Sequence, residues 1–177
     1  DAALLLDVIQ GPDRHDSTSS NKPPQPLTGI PGVVSGLRIG IIKEVFTDAL
    51  DNNVRKAVLA AIHQLEQKGA RKVEISLPLS MTHGLATYYL LAVAEASTNL
   101  AKFCGLRYGA TDQLSGTYNE FFSRIRTNYF GDEAKRRLLL GTFARMAGFR
   151  DAYYTKAAQV RTLIIDEYKK AFEQCDV

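Results

Sequence analysis

The densest concentration of groups able to do chemistry lies between positions 124 and 150. Arg124, Arg126, Lys135, Arg136, Arg137, Arg145 and Arg150 stand there against only Asp132 and Glu133. A guanidinium turned into a pocket presents a rigid fork that holds a carboxylate by two parallel hydrogen bonds. The same residues also fit an ordinary solvated helix face, because Asp132 and Glu133 precede Arg136 and Arg137 by one helical turn. Spacing alone leaves both readings open. Two tyrosine doublets, Tyr88-Tyr89 and Tyr153-Tyr154, are the other candidates. Adjacent helical residues point about 100° apart, so one ring of each pair can pack while the other offers its hydroxyl.

The remaining reactive types carry less. His15, His63 and His83 are scattered, without the paired spacing of a metal site. Ser17, Ser19 and Ser20 fall in a polar stretch with no G-x-S-x-G turn to activate them, and read as turn residues. Cys104 and Cys175 show no CxxC spacing and read as free thiols. Gly36 and Gly40 bracket an apolar run instead of opening a helix, and no phosphate-binding loop of the Walker type is present.

These residues must be positioned by a chain of 177 residues, long enough for one domain with a real core. The apolar fraction of 45% and charged fraction of 23% are those of a water-compatible globular protein. A net charge of +3 does not by itself call for nucleic acid. No apolar run approaches the roughly 20 residues needed to cross a bilayer, and no signal peptide is visible.

Residues 1–10 form an amphipathic helix closed by Gly11. A Pro, Gly and Ser-rich linker follows over 11–36, long for a connection inside a compact domain. Residues 37–42 form an apolar strand, Asp51 caps a helix repeating Val54, Val58, Ala61, Ile62 and Leu65, and Gly69 ends it. Residues 73–77 alternate as a second strand closed by Pro78. Strand, helix and strand over 37–78 make a βαβ unit with parallel strands. Further elements must cover the sheet face that this helix leaves bare.

Residues 79–177 turn helical: Met81 onward, 88–103, 118–126, 133–146 and 151–172, with a loop over 109–116. Tyr88-Tyr89 and Tyr153-Tyr154 then fall at or near helix starts, and His83 falls in a loop. Leu138, Leu139, Phe143 and Met146 form one apolar stripe. The chain opens without methionine inside a helical pattern and stops just past another, so a fragment of a larger α/β enzyme is expected.

Three blocks combine into something specific. The first is Tyr88-Tyr89 with Ala94-Glu95-Ala96-Ser97-Thr98-Asn99-Leu100-Ala101 and Gly105-Leu106-Arg107-Tyr108-Gly109. The second is Phe130-Gly131-Asp132-Glu133-Ala134-Lys135-Arg136-Arg137 with Leu140-Gly141-Thr142. The third is Asp151-Ala152-Tyr153-Tyr154-Thr155-Lys156-Ala157 with Val160-Arg161-Thr162-Leu163-Ile164. In this order, over essentially the whole chain, they resemble the A subunits of glutamine-dependent aminoacyl-tRNA amidotransferases, which belong to the amidase-signature family. Lys102-Phe103-Cys104-Gly105 and Tyr129-Phe130-Gly131 depart from the family's frequent Arg-Phe-Asp-Gly and Gly-Phe-Gly.

The resemblance implies part of a mixed sheet flanked by helices: one βαβ unit plus a helical substrate-side portion. It implies glutamine hydrolysis by a serine nucleophile, a second serine that relays the proton and a lysine base, all preceding Asp1 in chain order. It places a further acidic substrate contact after Val177. The ammonia would pass to a B subunit, which uses ATP and magnesium to convert misacylated glutamyl-tRNA, and in many such enzymes aspartyl-tRNA. A small C subunit would tie the assembly together. The implied setting is cytoplasmic and bacterial, or organellar, without membrane. By motif match, the substrate positions within this chain are Tyr88 and Arg137, with Arg137 on the α-carboxylate of glutamine. No catalytic residue, metal ligand or cofactor contact is assigned to this chain. Two alternatives stay open: a general amidase of the same superfamily, and a non-catalytic domain that binds a partner through its basic cluster.

Overall fold

The β-branched run Ile39-Gly40-Ile41-Ile42 favours an extended, half-buried backbone and forms strand β1 (Arg38–Ile42). In the computed structural model, which describes residues 1–29 and 32–177, β1 pairs in parallel with β2 (Arg71–Ile75), Gly40 opposite Val73 and Ile42 opposite Ile75. Residues 30 and 31, inside the expected 11–36 linker, lie outside the described residues. Helix α1 (Ala2–Ile9) precedes that linker and buries none of its residues. The linker's return to α1 is tied by Asp7, which accepts from the Leu27 and Thr28 amides at 2.6 and 2.9 Å.

Between the strands runs α2 (Asn52–Gln67). The Asp51 carboxylate accepts from the free amides of Asn53 and Val54 at 2.8 and 3.2 Å, as an N-cap must. Gly69, at φ +94°, supplies the left-handed turn into β2.

The far edge of β1 is also occupied. The Gly40 amide donates to the Val177 carbonyl at 2.7 Å, while the Asp176 and Val177 amides donate to the Arg38 carbonyl at 2.8 and 3.3 Å. Val177 thereby brackets Ile39 in the bonding pattern of a parallel pair. The Arg38 guanidinium grips Asp176 at 2.7 Å and the Glu173 carbonyl at 3.0 Å. One sheet face is covered by the end of α6 (Lys156–Gln174): Ile75, Leu77, Ala171 and Cys175 form a buried cluster with Ile42 and Val73 packed against it. A Cβ at Gly40 would lie 2.8 Å from the Cys175 sulfur, so the thiol approaches bare backbone.

The strand expected over 73–77 ends instead at Ile75, and Leu77 becomes the N-cap of α3 (Pro78–Asn99). Pro78 takes the first helical position, where its missing N–H costs nothing and its fixed φ suits the helix. It both closes the strand and opens the helix. Tyr88 therefore sits mid-helix rather than near a helix start, and His83 lies on α3 rather than in a loop. Two distant carboxylates complete the α3 N-terminus. Glu44 accepts from the Leu77 amide at 3.1 Å, and Glu167 of α6 accepts from Leu79 and Ser80 at 2.9 Å each.

Two more helices follow: α4 (Tyr118–Tyr129), closed at its start by a reciprocal Thr117–Glu120 capping box, and α5 (Asp132–Arg145). Phe121 and Ile125 anchor α4. A π-helical turn, Asp151–Thr155, carries Tyr153-Tyr154 into α6. Leu139, expected in the apolar stripe of α5, is instead 74% exposed. The face α5 buries is made of Gly141 and Ala144. Small side chains, not large ones, let this helix approach its neighbour.

Candidate functional site

The position of Arg137 relative to Tyr88 follows from how α3 and α5 meet. A Cβ at Gly141 would overlap the Val93 carbonyl oxygen, so the two backbones nearly touch there. Ala94 and Ala144 are buried at the same seam. One turn further, the Arg145 guanidinium donates to Thr98 Oγ1 and, at 3.4 Å, to the Ala94 carbonyl. Both contacts fall on the same stretch of α3, between Val93 and Thr98. Arg137 is one turn before Gly141 on α5, and Tyr88 and Tyr89 are little more than one turn before Val93 on α3.

Arg137 is held within its own helix by a local ion pair. The Arg137 pKa is raised first by its hydrogen bond and ion pair with Glu133, and further by the phenols of Tyr88 and Tyr89. Arg137 Nε donates to Glu133 Oε1 at 3.0 Å, and Arg136 Nη1 donates to Oε2 at 2.6 Å. Held by both arginines, with the Arg137 bond the larger cause, the Glu133 carboxyl stays below its ordinary range. The Arg137 side chain is 40% exposed and Tyr88 is 60% exposed. Both can meet a small molecule.

Tyr88 also faces a groove of about 690 Å³ between α3 and α6, with Thr87, Leu91, Glu95, Arg161 and Ile164 among its walls. Arg137 lies outside that groove, on α5. The two residues singled out from sequence thus stand on packed helices, but they do not line one closed pocket. A second, polar cleft of about 480 Å³ is walled by Glu95, Thr98, Asn99, Arg145, Arg150 and Tyr154.

Much of the basic cluster is structural. Arg124 pairs with Asp112 at 3.3 Å and donates to the Gln113 carbonyl at 2.7 Å, Lys135 donates to the Thr127 carbonyl at 3.0 Å, and Arg145 ties α5 to α3. His63 meets Gln67 at 3.0 Å on an exposed face. Ser19 Oγ accepts from the Asp13 amide at 2.9 Å, as a turn serine does. Both cysteines are free thiols. Among the described residues there is no group of three or more His, Cys, Asp or Glu able to hold a metal ion, and no helix long and apolar enough to cross a membrane.

The family model described as "Amidase" matches residues 1–177, the whole chain. The chain belongs to the amidase family. This amidase-family chain is 46% identical over 178 residues to the A subunit of the glutamyl-tRNA(Gln) amidotransferase of Listeria monocytogenes, covering all of this chain and 37% of that protein. The A subunit of the Brevibacillus brevis enzyme is likewise 46% identical, with 36% of its length covered. The crystal structure of the corresponding A subunit from Thermotoga maritima superposes with a TM-score of 0.64 at 30% identity, over 98% of this chain and 33% of that one. Among the described residues, the α/β arrangement of two parallel strands and six α-helices is thus a portion of the amidase fold. The chain spans a little over a third of the length of the curated relatives it matches.

Sequence reading missed two connections in this region. Arg145 acts as a helix clamp, and Glu167 caps a helix that begins 89 residues earlier in the chain. Neither has a local signal, since both depend on elements meeting in space.

Proposed function

We propose that this chain is part of the glutamine-hydrolysing subunit of an aminoacyl-tRNA amidotransferase, and that it supplies substrate contacts, not the nucleophile. Arg137 binds the α-carboxylate of glutamine and the Tyr88 hydroxyl orients the substrate. What supports this reading is the motif match at Tyr88 and Arg137 in a chain 46% identical along its whole length to such subunits, with the two residues on the packed helices α3 and α5. A guanidinium at a partly exposed site matches a carboxylate in shape and charge.

In this reading the serine–serine–lysine machinery is supplied from outside these 177 residues. It adds a serine oxygen to the side-chain amide carbonyl and expels ammonia. B and C subunits complete the enzyme. ATP and magnesium act in the B subunit, where the ammonia meets misacylated tRNA, in a cytoplasmic or organellar setting.

The test places this chain in the A subunit of the Listeria monocytogenes enzyme in exchange for the matching 178 residues, co-produced with that enzyme's partner subunits. The chimera should release ammonia from glutamine, whereas the 177-residue chain alone should release none. Arg137→Lys in the chimera should raise KM for glutamine by about tenfold, the scale of one charge-assisted hydrogen bond, with kcat little changed. An unaltered KM rules out the Arg137 assignment. Ammonia release by the purified chain alone rules out the division of labour.

A further inference from the structure

We infer that Glu133 is a positioning residue for substrate binding: it holds Arg137 by Nε so that the Nη1/Nη2 edge of the guanidinium is left to grip a carboxylate. The inference rests on the proposed role of Arg137 and adds a residue to it.

A guanidinium offers five N–H donors in one plane. A carboxylate can approach it along the Nε/Nη side or end-on across Nη1 and Nη2. Here the Nε donor is spent on Glu133 Oε1 at 3.0 Å. Among the described residues no acceptor bonds Nη1 or Nη2 of Arg137. Glu133 is also engaged from its other side, where its second oxygen accepts from Arg136 Nη1 at 2.6 Å. The arrangement is fixed at its base as well. Glu133 is in the first turn of α5, where the helix dipole favours an anion. It precedes Arg137 by four residues, the better order for such a pair. Two guanidiniums share one carboxylate, so one positive charge of the group is left uncompensated.

Charge and geometry predict opposite signs when Glu133 is removed. If Glu133 acted only through its charge, deleting it would make the site more positive and tighten carboxylate binding. If it positions Arg137, deleting it frees the side chain and weakens binding, because a bidentate contact needs a fixed fork. Glu133→Gln separates the two, since it loses the charge but keeps an oxygen that can accept from Nε.

The experiment measures glutamine kinetics in the Listeria chimera for Glu133→Ala, Glu133→Gln, Arg137→Lys and the Glu133→Ala/Arg137→Lys double variant. Assembly is checked by size-exclusion chromatography and folding by thermal melting. Glu133→Ala should raise KM about fivefold with kcat changed by less than about twofold, and Glu133→Gln should bring KM most of the way back. The double variant should be no worse than Arg137→Lys alone, because the two residues act as a unit. If Glu133→Ala leaves KM unchanged or lowers it while Arg137→Lys raises it, the positioning role is overturned and the carboxylate role of Arg137 survives. If Arg137→Lys itself leaves KM unchanged, both fall. Should Glu133→Ala fail to assemble, Glu133→Ser takes its place, since its short hydroxyl cannot reach Nε: a raised KM that Glu133→Gln restores supports the inference, and a KM at or below wild type overturns it.

Discussion

Tyr88 and Arg137 illustrate how far a single side chain can be read before its neighbours are known. The residue types and the motif match singled them out, and the α3–α5 seam brings Arg137 within electrostatic reach of the Tyr88 and Tyr89 phenols. Tyr88→Phe removes one hydroxyl and keeps the ring. In the chimera it should raise KM for glutamine severalfold, the scale of one neutral hydrogen bond, and steady-state kinetics would read the change. Glu133 adds a pH consequence. Its folded pKa is depressed, chiefly by the Arg137 hydrogen bond. Its contribution to stability is therefore fully present above the ordinary glutamate value of about 4.3, and is lost as the pH falls through the lower folded value. Glu133→Gln should flatten the melting temperature against pH below that point, relative to the parent chain.

Among the elements, the contact between α3 and α5 is decided by what is absent from one residue. Gly141 has no Cβ, and one placed there would overlap the Val93 carbonyl and sit 2.7 Å from the Ser97 Cβ. Gly141→Ala must push the helices apart, at a cost of roughly 3 kcal/mol, and should lower the melting temperature by several degrees. It should also disturb Arg137, one turn away on the same helix, so KM should rise in the chimera without any change to a substrate contact. The start of α4 offers a milder comparison. Thr117→Ala removes one side of the capping box and should cost about 1 kcal/mol, leaving glutamine kinetics alone. A Gly141→Ala chain as stable as its parent would mean that the seam is wider than described.

For the whole molecule, the sheet is organised around β1, which pairs with β2 on one edge and with the chain's last two residues on the other. Arg38 and Asp176 hold that second edge. The Asp176 carboxyl is kept below its ordinary value by hydrogen bonds from the Arg38 side chain and amide. The sign is that of any depressed aspartate. Its stabilisation is complete above about pH 4 and disappears as the pH falls through the folded value. Asp176→Asn should therefore lower the melting temperature at neutral pH and make little difference once the acid limb is reached. A constant difference across the whole pH range would assign the effect to packing instead. Because the pair is partly exposed, added salt should shrink the neutral-pH difference.

The βαβ unit was legible because its signals are local: a β-branched run, the Asp51 cap, a helical repeat and a terminal glycine lie within some forty consecutive residues. The family was legible because three blocks occur in order. The boundary at Pro78 was half legible, since a proline that ends a strand can equally begin a helix, and only the backbone after Leu77 decides between them. The apolar stripe of Leu138, Leu139, Phe143 and Met146 does share the wall of one groove, but the residues α5 buries are Gly141 and Ala144, because the α3–α5 seam selects for closeness. The amino-acid order by itself determined which residues could hold a carboxylate. The Glu133 pairs were legible as helical neighbours, but only the tertiary structure decided that Arg124 and Arg145 are already occupied, because Asp112, Thr98 and the carbonyls that engage them act at angstrom range and are brought there by folding.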